Sequence, residues 1–343
     1  MAHLQKITAK IGNALVKNSN AELIKRLHYG SAKRGYLGKE VVDVKLHKGM
    51  TVKQLLESMR YIGGFSAQHM IYGIEILQRM IDDKRSFNFI SFPADIIATG
   101  LRGVIASSLK YFDAVITTGG TIDHDLARSF SGKYRLGSFY ADDAELHKAN
   151  IYRLGNVFIG QKDYGMEVEK HFYEIMNKIY EHNSKKEYSA SELLYEFGKH
   201  ISDDGSILRQ AYLHNVPIFA PGILDGAFGT HLSIFSQNHD FKLNLIKDEL
   251  TLSNIAFDNK VTGAFMVGGG ISKHHVIWWN QFKGGLDYAV YITTATQFDG
   301  SLSGARLSEA VSWGKVKEHA AYVTIDGDAT IIMPFMFAAA SLV

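Results

Sequence analysis

Residues 299–315 read DGSLSGARLSEAVSWGK, and the side chain among them with the clearest chemical use is the lysine at their end, Lys315. The first half of the run is small, with Gly300, Ser301, Ser303, Gly304 and Ala305, so backbone and hydroxyls can approach a ligand closely. From Ser308 a helical pattern takes over, and it stops at Trp313-Gly314-Lys315. A lysine beside a large indole and a flexible glycine is partly desolvated, which lowers its pKa toward that of a usable amine nucleophile. The same residues also describe an ordinary helix end, with Gly314 as C-cap and Lys315 favoured by the helix dipole.

Other clusters point to a nucleotide rather than a metal. Val267-Gly268-Gly269-Gly270 lies between a strand pattern and a helix pattern, as a loop under a dinucleotide pyrophosphate would, although Lys273 breaks the full GxGxxG spacing. Thr117-Thr118-Gly119-Gly120 carries hydroxyls and backbone donors suited to a ribose or phosphate, and it also fits a plain strand-end turn. His274-His275 has the residue type of a metal site, but adjacent helical side chains diverge by about 100° and no third ligand is suitably spaced. Asp123-His124-Asp125 reads as acids opening a helix, where the dipole favours them. No metal is expected.

The elements that must position these residues repeat one logic of strand, small-residue turn and helix. It recurs at 86–92, 113–118, 217–222, 263–267, 286–294 and 321–326. Such alternation predicts an α/β, Rossmann-like fold, with a mostly parallel sheet and helices on both faces. Ligands of such sheets sit at the carboxyl ends of the strands, where each of these turns falls. Earlier, a helix is expected from Thr51-Val52 to a break at Gly63-Gly64, and another over 66–83 with Ser66 as N-cap. Residues 166–200 read as a helical insertion: a helix over 166–182, a polar turn at 183–186, then a capping box from Ser189 to Glu192. We divide the chain into a basic, helical N-terminal arm (1–40) and a single catalytic domain (41–343).

Bulk numbers narrow the function. The chain has 343 residues and a formal net charge of +2, which gives no electrostatic case for nucleic acid as the main ligand. It has no cysteine, so disulfides, thiolate catalysis and zinc–thiolate sites are excluded. The N-terminus lacks the apolar run of a secretory signal, and the apolar tail 331–343 is too short to span a bilayer. That tail reads as a buried strand followed by a helical start. A soluble, cytoplasmic protein without a membrane role is expected.

Five stretches in collinear order carry a resemblance: TTGGTIDHDLARS (117–129), VGGGISKHH (267–275), YAVYITTATQFDGS (288–301), SGARLSEAVSWGK (303–315) and DATIIMP (328–334). They resemble the deoxyhypusine synthase family, in wording closer to its archaeal branch than to its eukaryotic one. The resemblance implies an NAD-dependent transfer of the aminobutyl group of spermidine, through an enzyme–lysine imine, to a lysine of the translation factor that becomes hypusinated. It makes Lys315 the nucleophile and His274 the proton-handling neighbour. NAD contacts are implied for Asp95, Thr99, Thr117, Thr118, Gly119, Asp225, Gly269, Gly270, Thr294, Ala295, Ser303, Asp328 and Ala329. Substrate contacts are implied for Asp123, His124, Tyr291, Gly300, Ser301, Glu309 and Trp313, with Trp313 along the polyamine stem and Glu309 on an ammonium. A homotetramer, a dimer of dimers with active sites at the dimer interface, is implied too.

The sequence departs from the family at several polyamine positions. Thr230 and Leu302 stand where aspartates are familiar, His124 where a glutamate is, and Trp278 and Asp95 where asparagines are. Two other readings follow from this: a transferase that passes the aminobutyl group between polyamines, like homospermidine synthase, or an NAD-binding paralogue without catalysis.

Overall fold

The computed structural model describes residues 39–130, 132–182 and 186–342. The basic arm therefore lies outside the described residues except for its last two, as do positions 183–185 of the polar turn. Helix α1 (Val52–Ser58) starts from a capping box in which Thr51 and Gln54 exchange side-chain and backbone bonds. Helix α2 (Phe65–Asp82) begins one residue before the expected cap, because Gly63, at φ +75°, turns the chain and Gly64 takes the N-cap in place of Ser66.

The α/β core then unrolls. Strand β1 (Ser86–Ser91) passes through α3 (Leu101–Ser108) to β2 (Ala114–Ile116), which enters α4 (Gly119–Phe130) almost directly. Gly119 and Gly120 are thus the first residues of a helix rather than a separate turn. An excursion that strand–helix alternation did not announce comes next: β3 (Tyr134–Leu136), α5 (Asp143–Lys148), β4 (Ile151–Leu154) and β5 (Val157–Gly160), forming an antiparallel sheet in the order β3-β5-β4. Helix α6 (Gly165–His182), the short β6 (Glu187–Tyr188), α7 (Ala190–Lys199) and α8 (Ile207–His214) lead to β7 (Ile218–Phe219). Helix α9 (Ala227–Asn238), β8 (Lys242–Leu243) and α10 (Ile246–Asp258) lead to β9 (Val261–Val267). The chain finishes with α11 (Gly270–Gln281), β10 (Leu286–Thr293), α12 (Leu307–Ser312), β11 (Val316–Asp326) and α13 (Ala329–Ala339).

Six strands form one sheet in the order β11-β10-β9-β1-β2-β7, and every neighbouring pair is parallel. Side chains alternate between its faces with the period of two that a strand imposes. Ile90, Val115, Phe265, Val290 and Val323 pack with α2, α3, α4, α6 and α13 on one face. Phe89, Ala114, Ala264, Ala289 and Ala320 pack with α10, α11 and α12 on the other. Helices α6 and α7 contribute Phe172, Ile175, Leu193 and Phe197 to the first of these cores, so 166–200 packs into the body. No helix among the described residues is long and apolar enough to cross a membrane.

The tail differs from the expected strand. Asp328 caps α13 by accepting from the Thr330 amide at 2.8 Å, and Met333, Met336 and Phe337 are fully buried. A short apolar run reads alike as strand or buried helix, and here the cap decides.

Asp123-His124-Asp125 lies in the middle of α4, and its acids cap other helices. Asp123 accepts from the Ala227 and Phe228 amides at 2.8 and 2.7 Å, closing the start of α9. A Cβ on Gly226 would come within 2.5 Å of the Asp123 carboxylate, so glycine alone fits that approach. Asp125, fully buried, accepts from the Ile207 and Leu208 amides, from Ser206 Oγ and from Arg102 Nε at 2.7–3.0 Å. Replacing Asp125 by alanine leaves the buried Arg102 with Asp203 as its remaining ion partner and removes the carboxylate from the Ile207 and Leu208 amides, so urea unfolding should show a loss of about 3 kcal/mol. Asp125→Asn, which keeps acceptor oxygen, should lose less.

Candidate functional site

The strand order reverses between β1 and β9, since the chain runs outward from β1 to β2 and β7 before returning to β9, β10 and β11. Open α/β sheets form their crevice at such a point, beyond the carboxyl ends of the strands. The turns there are in contact. A Cβ on Gly268 would lie 3.1 Å from Pro93, one on Gly120 would lie 3.0 Å from Ala94, and one on Gly119 would lie 2.7 Å from the Asp225 carbonyl. One on Gly269 would overlap Ser303. The turns after β7, β2, β1, β9 and β10 thus sit side by side, and they include Asp225, Thr118, Gly119, Gly269, Gly270 and Ser303. Helices α4 and α11 begin among them, and first-turn amides have no partner inside their own helix. Gly270 at φ +71° is open on its outer side.

Residues expected to hold a nucleotide do different work in this ring. Thr117 is fully buried, and its hydroxyl bonds Phe92 O and Thr121, so it shapes the turn rather than facing a ligand. The Thr99 hydroxyl likewise bonds Ile96 O and receives the Leu101 amide. Asp95, Asp225, Thr294 and Asp328 are exposed; Ala295 is half-buried and Ala329 buried. Asp328 is occupied as the cap of α13.

The nucleophile candidate is held from the other side of α11. Gly314, at φ +68°, follows α12, the Gly314 amide donates to Val311 O, and the Lys315 amide donates to Ala310 O at 2.9 Å. That pair of bonds is a Schellman closure. The ordinary helix end is therefore present, and it aims the lysine. Lys315 is 9% exposed, and its Nζ makes no hydrogen bond or ion pair among the described residues. Its Nζ lies 5.1 Å from the ring of Trp313 and 5.9 Å from that of Trp278. Gly270, His274 and Trp278 recur every four residues on α11, which stacks them along one helix face. His274 stacks on Trp278 with centroids 5.6 Å apart. Burial and the neighbouring Lys315 charge hold the His274 pKa below the ordinary histidine range, which leaves a neutral imidazole at neutral pH. His275 turns away to Glu249, 3.2 Å distant, so the two histidines diverge.

Several expected substrate residues are otherwise engaged. Asp123 is capping α9 and accepts from Tyr164 Oη at 3.0 Å, and burial outweighs these bonds to raise its pKa. His124 Nδ1 meets Tyr134 Oη at 2.7 Å, and burial pushes the ring down to about 4. Tyr291 is fully buried with its hydroxyl donating to Ser303 O, which makes it a support of the loop. Gly300 and Ser301 lie exposed on that loop, where Asp299 accepts from the Ser301 amide and hydroxyl. Glu309 is exposed on α12. Thr230 bonds Gly226 O, in its own helix turn.

Lys273 was passed over in the sequence as the residue that spoils a glycine motif. It is 1% exposed, and its Nζ donates to Leu302 O at 2.9 Å and Ala305 O at 2.5 Å, 3.8 Å above the Tyr291 ring. Burial outweighs the opposing pull of the Glu309 carboxylate and brings it down to about 8. Its spacing from Val276, Ile277 and Asn280 on the buried face of α11 was the available signal. Lys273 pins the loop that leads into α12 and Lys315. Lys273→Met should speed amide exchange over 299–306 and lower turnover at least about tenfold, while stability moves by no more than about 2 kcal/mol, since an unpaired buried ion goes with it.

Comparisons with known proteins bear on the family of the chain. The family model described as deoxyhypusine synthase matches residues 54–340. A protein named "Probable deoxyhypusine synthase" from Thermoplasma volcanium is 51% identical over 88% of this chain and 97% of its own length. Another so named, from Sulfurisphaera tokodaii, is 49% identical with the same coverage of each chain. A crystal structure from Entamoeba histolytica, titled for the same enzyme, shares the fold at a TM-score of 0.59 and 19% identity, over 88% of this chain and 96% of that one. The chain belongs to the deoxyhypusine synthase family.

Proposed function

We propose that this enzyme transfers the aminobutyl group of spermidine, through an imine on Lys315, to one lysine of the hypusine-bearing translation factor, with NAD as its redox cofactor. The observation that carries the reading is the Lys315 amine. The residue is nine-tenths buried, and its amine is free of any ion pair or hydrogen bond among the described residues and flanked by two indoles and a neutral imidazole. No carboxylate or carbonyl among the described residues occupies the amine, so its nitrogen can be brought to an electrophilic carbon.

The contiguous turns at the switch point fit a dinucleotide: glycines that admit a close backbone approach, two helix starts, and exposed Asp95 and Asp225 for ribose hydroxyls. NAD held there supplies the acceptor for the hydride that leaves spermidine and the donor that reduces the final imine. Lys315 Nζ attacks the carbon of the oxidised donor. The carbon–nitrogen bond to 1,3-diaminopropane breaks, that amine leaves with the electron pair and a proton, and the butyl carbon remains joined to Lys315 as an imine. His274, one helical turn from Gly270, is suited to pass the proton. The acceptor lysine then displaces Lys315 by the same exchange and regenerates the free amine. Burial keeps water from the imine throughout.

We further propose a cytoplasmic homotetramer. Ile246, Leu250 and Phe257 form an exposed apolar stripe on one side of α10, which supports burial between copies. Light scattering of the purified full chain should give the mass of four chains, and a monomer would refute it.

With NAD and labelled spermidine, borohydride should trap an aminobutyl adduct on Lys315, and label should pass to the protein acceptor. Label reaching only a small amine would support the polyamine transferase, and no adduct would support the non-catalytic paralogue. Lys315→Ala and Lys315→Arg should both lose transfer while binding NADH normally, because a guanidinium stays protonated. Turnover in either variant would overturn the nucleophile assignment.

A further inference from the structure

His274 and Lys315 come to the site from two different helices, and those helices are joined at their C-terminal ends. Helix α11 ends in the turn 283–285 and α12 in the turn 313–315, and each turn leads straight into a strand, β10 or β11. The two turns are pressed together. A Cβ on Gly285, at φ +101°, would lie 2.8 Å from the Lys317 amide nitrogen and from the Val316 carbonyl carbon. The Leu286 amide donates to Lys315 O at 3.1 Å. Beyond that bond the ladder slips: Leu286 stands opposite Val316 and Tyr288 opposite Ala321, so β11 advances five residues where β10 advances two. A bulge of this kind bends its strand and leaves the extra residues without ladder bonds. The start of β11, next to Lys315, is therefore not held in register by the rest of the strand.

An ion cluster fastens the slack. Lys317, inside the bulge, donates from Nζ to Asp287 Oδ1 at 2.7 Å, and Asp287 Oδ2 accepts from the Thr262 amide of β9 at 3.1 Å. Lys283 Nζ, from the turn after α11, lies 3.8 Å from the same Oδ2; its side chain is 8% exposed and the amine has no hydrogen-bond partner among the described residues. A single carboxylate thus faces two ammoniums, one from the end of α11 and one from just past Lys315. We infer that Asp287 and Lys317 are positioning residues for the transfer: their ion pair clasps the ends of α11 and α12 together and so sets Lys315 against His274. The inference rests on the reading of Lys315 as the amine-transfer residue and adds which contacts aim it. Asp287 and Lys317 are each the second residue of a strand, at the end of the sheet opposite the crevice, so they act through Lys315. Lys317 is only partly buried, and a pair of that kind adds little to stability. Its effect is geometric, since displacing a reacting group by about 1 Å can cost about 100-fold in rate.

The test loads the full-length protein with NAD and saturating spermidine, quenches with borohydride at successive times, and follows the adduct on Lys315 by mass spectrometry. Lys317→Met keeps the stem and removes the charge, and it should slow adduct formation about tenfold with NADH affinity and thermal midpoint near native. Lys317→Arg keeps a cation for Asp287 and should restore the rate. Asp287→Asn, which leaves an acceptor for the Thr262 amide, should be at least as slow as Lys317→Met. A native rate in Lys317→Met, an equal loss in Lys317→Arg, or a matching loss of NADH affinity would each overturn the inference. Amide exchange over 314–318, read in the same variants without turnover, should quicken in Lys317→Met and not in Lys317→Arg. If the native protein forms no adduct, the transfer reading falls; that exchange pattern would still support the clasp, and unchanged exchange in Lys317→Met would overturn it.

Discussion

A helix that begins inside a protein brings several amide N–H groups with no partner of their own, and burying them unpaired is costly. This chain meets that constraint with two carboxylates two residues apart on α4, Asp123 and Asp125, each turned to the start of a different helix. Because α4 leaves β2 directly, these two caps tie α8 and α9 to the central sheet. Arg102 brings α3 into the same cluster, pairing with Asp125 at 2.7 Å and Asp203 at 2.8 Å. The helices of the first face are thereby registered on each other through polar contacts, and apolar packing fills the space between. The turn after β7, which carries Asp225, is fixed by the capped start of α9 two residues later.

Much of the α/β core could be read in advance because its signals are local. Alternating side chains, a glycine turn and a helix starter each act within a few residues, and they located all six strands of the main sheet. The antiparallel sheet of β3, β4 and β5 escaped notice because Leu136, Phe139 and Tyr140 are exposed, and the stretch lacks the in-and-out pattern of a half-buried strand. The roles of Asp123 and Asp125 were hidden for another reason. That acids cap helices is visible in sequence; that they cap helices about 80 and 100 residues away depends on the tertiary fold.

The site divides in the same manner. Lys315 and the glycine turns stood out because their types and neighbours are unusual together. Lys273 did not, since its work depends on what the 299–305 loop brings against α11. Helix α11 is the ruler of the site. Its first residue touches the crevice, and successive turns of about 5.4 Å set His274 and then Trp278 beside the amine.

The glycine contacts between neighbouring turns carry an evolutionary consequence. Gly268 is fitted to Pro93, Gly120 to Ala94, Gly119 to Asp225 and Gly269 to Ser303. A larger residue at any of these glycines displaces the adjoining turn, which in turn abuts the next. Drift in this crevice is therefore collective: the turns can change only in compensated steps, whereas Trp278, two helical turns along α11 from Gly270, abuts none of these glycines. A scaffold divided in this way can exchange one amine for another while its cofactor seat stays still.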